Sequence, residues 1–115
     1  MKFATPLALV LSLAGAAPVL AQVPADARSQ MVKTYSQMCR QGGVNVLGPA
    51  GESDIKDAPQ LAAYCDCFGG KFADRALASL GKPKGSKPLS QSVAEEYDMR
   101  NACRRAQGLP QVKAP

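Results

Sequence analysis

The sequence predicts an all-α fold: a small domain of three helices cross-linked by two disulfides, with a long irregular loop between the first and second helices. Three observations predict it. Apolar residues recur three and four positions apart in three separate segments, as they do on a helix with one buried face. The four cysteines fall one in each outer segment, Cys39 and Cys103, and two in the middle, Cys65 and Cys67. Leu, Ile, Val and Phe supply only 15 of the 94 residues that follow Ala21. That is below the one fifth or so at which burial alone folds a chain, and a small domain buries proportionally less surface. Cross-links are the expected remedy: each bridge contributes about 2–4 kcal/mol beside a total stability of about 5–15 kcal/mol.

The chain opens with the pattern of a secretory leader. Lys2 supplies a positive start, and Leu7 to Ala17 is apolar but for Ser12 and Gly15. Val19-Leu20-Ala21 then offers a cleavage site. The apolar run is about half the roughly 20 residues that cross a bilayer, so no membrane segment is expected once residues 1–21 are removed. The remainder, 22–115, carries 13 basic and 9 acidic side chains, a formal +4. An even number of cysteines in a small exported chain argues for disulfides, and export supplies the oxidising compartment they need. The expected organisation is a signal peptide over 1–21, a disulfide-stapled domain over 22–110 and a disordered tail over 111–115, located in the periplasm or secreted.

In the first helix Asp26 is placed to cap the amides of the first turn. Ala27, Met31, Tyr35, Met38 and Cys39 form its stripe, and Gly42-Gly43 ends it through a left-handed C-terminal residue. Val44 to Lys56 follows as the long connection, with turn chemistry at Gly48-Pro49 and Gly51. Its apolar Val44, Val46, Leu47 and Ile55 are expected to fold back on the helices. The second helix is expected to start around Asp57 to Pro59, with Asp57 or Ala58 as its cap, since proline suits a first turn. Leu61, Cys65, Phe68, Phe72 and Ala76 share one arc of it. Gly69-Gly70 reads either as the close approach of a neighbouring helix or as a kink. Gly81 to Pro88, with three lysines, is a solvated connector. The third helix is expected to begin at Ser90 or Ser92, the latter in a capping box with Glu95. Met99, Cys103 and Ala106 share one face of it, and Val93, Tyr97, Arg100 and Arg104 another. Gly108 and Pro110 end it.

The central Cys-x-Cys carries the main inference. Side chains two residues apart on a helix diverge by about 200 degrees, so Cys65 and Cys67 cannot bond each other without unwinding it. Each must find a partner on another helix. If neighbours are antiparallel, the levels of the cysteines favour Cys39–Cys65 with Cys67–Cys103. The crossed set, Cys39–Cys67 with Cys65–Cys103, remains open.

Function is less legible. The chain has no histidine, which removes Ser-His and Cys-His nucleophilic pairs and the zinc triad. It has no phosphate-binding glycine loop. Its charge and expected export also argue against nucleic acid as a partner. No catalytic residue, cofactor or metal site is therefore assigned. The reading that remains is a non-enzymatic exported protein, a protein-binding or envelope-associated accessory factor whose partner is unknown. Two alternatives use the same residues. Cys65 and Cys67 could form a thiol–disulfide redox pair, although the charge of Asp66 disfavours a neighbouring thiolate. The cysteines, with Met31 and Met38, could hold a soft metal, although gap-filling thioethers are the ordinary role of such methionines. Arg100, Arg104 and Arg105 with Tyr97 could meet an anionic envelope surface, although helix-end arginines ordinarily complement the dipole. Finally, the layout of Cys39, Tyr64-Cys65-Asp66-Cys67 and Cys103 behind a leader resembles small uncharacterised four-cysteine exported proteins of proteobacteria. That resemblance implies an exported location and cross-linking, and no activity.

Overall fold

Three α-helices carry the described chain: α1 over Ala27–Gln41, α2 over Leu61–Ala78 and α3 over Leu89–Ala106. The computed structural model describes residues 24–113 apart from 49, 83, 84 and 86; the leader expected over 1–21 lies outside them. No strand occurs among the described residues, and none of the described helices is long and apolar enough to cross a membrane.

The helix α2 is central. Both α1 and α3 pack on it, the first more broadly, and they barely meet each other. Both pairs are antiparallel. Along α1 and α2, Cys39 bonds Cys65 while Arg28 reaches Asp74 at 2.7 Å. Along α2 and α3, Cys67 bonds Cys103 while Arg75 donates to the Ser92 carbonyl at 3.4 Å. The two central sulfurs therefore point to different helices, with Cα–Cα distances of 5.6 Å and 5.7 Å across the bridges. The preferred pairing is the one formed.

The helix α2 runs unbroken through Gly69-Gly70, so the kink is not the reason for the glycines. Close approach is the reason for the first: a Cβ on Gly69 would lie 3.0 Å from both the Ser36 nitrogen and the Val32 oxygen of α1. Those are backbone atoms, which cannot swing aside. Beside this contact the buried Ser36 hydroxyl donates to the Asp66 carboxylate, which also accepts from Arg40 at 2.7 Å. Asp66 thus serves the α1–α2 seam rather than a thiolate.

The helix ends differ from expectation. Asp26 precedes α1 but makes no capping bond; its carboxylate accepts from Gln30 Nε2 at 2.7 Å instead. Gly42 keeps a right-handed φ of −80° and donates to the Met38 carbonyl, so the chain tightens into a 3-10 turn over Gly43–Asn45 rather than reversing. A second 3-10 turn spans Ser53–Ile55 and buries Ile55. The connection expected to be long and irregular is therefore shaped by short turns, and α2 begins at Leu61, after Gln60 rather than Asp57 or Ala58. The third helix starts at Leu89 behind extended Pro88, one residue before Ser90 and three before Ser92. That places Ser92 inside the helix, where it caps nothing, and Glu95 pairs with Lys87 at 2.8 Å. Gly108, at φ 66°, reverses the chain after α3. Within the tail expected to be disordered, Val112 exchanges two hydrogen bonds with the Asn101 side chain, each 2.8 Å.

Candidate functional site: an apolar groove beside a buried arginine clasp

Tyr64, Phe68 and Phe72 stand one turn apart on α2 and form a ladder. Phe68 lies between the other two, its ring centroid 6.1 Å from that of Tyr64 and 5.3 Å from that of Phe72. Tyr35 of α1 adds a ring 5.0 Å from Phe72. On α3, Arg100 and Arg104 are also one turn apart. Because the helices are antiparallel, Arg104 lies over Tyr64 at 5.5 Å and Arg100 over Phe68 at 4.7 Å. Each guanidinium so placed gains from the negative face of the ring as well as from its hydrogen bonds.

Those hydrogen bonds hold down the connection between α1 and α2. Arg100 Nε donates to Glu52 Oε1 at 3.0 Å and its Nη2 to the Ala50 carbonyl at 3.3 Å. The Tyr64 hydroxyl donates to the same Oε1 at 3.0 Å. Arg104 meets both carboxylate oxygens of Asp54, at 2.7 and 2.9 Å, and donates to the Pro110 carbonyl at 2.9 Å. Glu52 is 2% exposed and Arg104 fully buried. A buried charge is tolerable only when paired and hydrogen-bonded; both are paired, while Arg104 Nε itself has no partner among the described residues. The hydrogen bond from Arg104 holds the Asp54 carboxyl below its ordinary range. Burial first, then the Glu52 charge, pushes the Tyr64 hydroxyl well above the ordinary tyrosine value, so it stays a donor. Gly43 belongs to the same arrangement: a Cβ there would overlap the Glu52 carboxylate.

This corrects the reading of Arg100, Arg104, Arg105 and Tyr97 as a grip on an anionic surface. Arg100, Arg104 and Tyr97 are buried, and only Arg105 is exposed. The clasp was missed because Glu52 lies in a loop, where a charged residue is usually solvated. The available signal was the matched one-turn spacing of the α2 aromatics and the α3 arginines.

Since α1 and α3 barely meet, a groove of about 620 Å³ opens between them over α2. Phe68 and Phe72 form its floor, Tyr35 and Met38 its α1 wall, and Glu96 and Arg100 its α3 wall, with Val46 at the end closed by the clasp. Its rim sets exposed apolar side chains, Met38 at 59% and Val46 at 42%, among the polar Thr34, Gln37 and Gln41. A larger depression of about 770 Å³ lies at the far end of α2 and α3. Its lining mixes Phe72, Ala76 and Leu80 with Arg75, Lys82, Lys87 and Glu95, of which Lys87 and Glu95 pair with each other.

All four cysteines are taken in pairs, and Cys65 and Cys103 have no exposed surface. The redox alternative requires a Cys65–Cys67 exchange that the helix keeps apart. For the metal alternative, Met31 is half-buried and Met38 sits on the groove rim, and no group of three or more potential acidic, Cys or His ligands gathers among the described residues.

Fold and site together define a disulfide-stapled three-helix domain with an arginine-clasped connection and an open apolar groove. No protein-family model, curated protein or solved structure matches the chain.

Proposed function

We propose that the protein is a non-enzymatic binding module working outside the cytoplasm, periplasmic or secreted, that docks a partner protein in the groove between α1 and α3. The groove with its aromatic floor and the exposed Met38 and Val46 at its edge carries this reading. Side chains such as Met38 and Val46 normally turn inward in a chain so short of large apolar residues, and here they border an open depression floored by phenylalanines. Exposed apolar side chains gathered at an open groove and ringed by polar ones mark interaction sites. The disulfides and the arginine clasp make the walls rigid in advance, which lowers the entropic cost of docking. The leader pattern over 1–21 and two bridges that a reducing cytosol would not sustain support the location.

The test is photo-crosslinking in the living cell. A photoreactive residue at Met38 is expected to give a discrete protein adduct that the same residue at exposed Lys71 does not. The adduct should disappear when Val46→Asp places a charge at the groove's end. Equal adducts from both positions, or none from either, overturn the reading. Exported protein with free thiols on mass analysis overturns the assigned location.

A further inference from the structure

We propose that the segment received by the groove carries apolar anchor residues together with a lysine or arginine that meets Glu96; this rests on the groove being the docking surface. Apolar anchors follow from the floor and the α1 wall, where Phe68, Phe72 and Tyr35 offer rings and Met38 an adaptable thioether. The charge follows from the α3 wall. Two of the groove's charged groups, Glu52 and Arg100, are committed to each other at 3.0 Å, and Arg100 also covers Phe68. Glu96 is different. It stands one turn before Arg100, is half-buried, and makes no ion pair or side-chain hydrogen bond among the described residues. A carboxylate beside apolar rings loses part of its hydration when a partner covers it, and a cation on that partner restores the loss through a charge-assisted hydrogen bond.

The rest of the surface sharpens this choice. Residues 22–115 carry a formal +4, so a basic segment is repelled by the protein as a whole and gains only where a carboxylate unpaired among the described residues, such as Glu96, meets it. Selectivity then comes from repulsion elsewhere as well as attraction here.

The experiment uses the exported, oxidised protein and a random phage-displayed peptide library, followed by fluorescence anisotropy on synthetic copies of the selected peptides. Selected peptides are expected to combine aromatic or aliphatic residues with a lysine or arginine. Changing that cation to Glu is expected to weaken binding about fivefold or more, the scale of replacing a partly exposed ion pair by like charges. Glu96→Lys is expected to reverse the preference and Glu96→Gln to abolish it. Because Glu96 is half-buried and Met38 exposed, these variants and Met38→Asp should melt like the parent. Peptides that bind, lose affinity with Met38→Asp, yet ignore both the cation and Glu96→Lys would sink the charge assignment and leave the apolar docking site standing. Failure to select any peptide sensitive to Met38→Asp would sink the docking site itself. Self-association abolished by Met38→Asp would assign the groove to a second copy of the chain and overturn the proposal.

Discussion

Glu52→Ala tests whether the clasp holds the connection in place. The substitution removes the acceptor shared by Arg100 Nε and the Tyr64 hydroxyl, each at 3.0 Å. Arg100, its side chain 8% exposed, becomes a buried cation whose remaining partners are the Ala50 carbonyl at 3.3 Å and the Phe68 ring. Stranding one member of a buried pair costs about 3–5 kcal/mol, a large part of the about 5–15 kcal/mol that holds a domain together. Removing both members costs much less, because the desolvation of the pair nearly offsets its attraction. Glu52→Ala with Arg100→Met should therefore lose only about 1–2 kcal/mol, chiefly the unsatisfied Tyr64 hydroxyl and the Ala50 contact. The non-additivity of the cycle is then about 2 kcal/mol or more. Urea unfolding of the oxidised protein, followed by far-UV circular dichroism, measures all four species. A single-variant loss below about 1 kcal/mol, or a cycle that simply adds, would show that the clasp does not hold the connection.

Three further outcomes are expected. Gly69→Ala should destabilise by about 1–3 kcal/mol by forcing α1 from α2, whereas Gly70→Ala, whose Cβ would meet only the Arg28 guanidinium at 3.7 Å, should stabilise by about 0.5–1 kcal/mol through helix propensity; urea midpoints for the pair decide it. Cys67→Ser with Cys103→Ser should cost about 2–5 kcal/mol, and hydrogen exchange should show α3 losing protection before α1 and α2, since its packing on α2 is the narrower. The Asp54 and Asp66 carboxyls are held below the ordinary value of 3.8, chiefly by hydrogen bonds from Arg104 and Ser36 respectively. Their contribution is fully present above that value and is lost as pH falls through the lowered folded values. The melting temperature should thus drop below about pH 4, and Asp54→Asn should flatten part of that drop.

The helices were legible because the stripes through Tyr35 and Cys39, through Cys65 and Phe72, and through Met99 and Cys103 need only the helical repeat. Their ends were less so. Gln60 and Pro88 precede α2 and α3 without side-chain caps, so the capping signals at Asp57 and Ser92 misplaced both starts. Arg100 and Arg104 read as surface charges because burial is a property of what packs against a residue, and their acceptors, Glu52 and Asp54, lie about fifty positions away.

By itself the sequence determined that Cys65 and Cys67 take different partners, since helix geometry throws residues two apart to opposing sides whatever surrounds them. It also determined that the core would need covalent help, since so few large apolar side chains are present. Only the tertiary structure decided which outer cysteine each takes, because register depends on where helices meet, and that is set by the bare Gly69 surface against Ser36. It alone decided that α1 and α3 stand apart, which makes the groove, and that two arginines turn inward, which shapes its end. Those are outcomes of long-range packing and desolvation, and no local pattern encodes them.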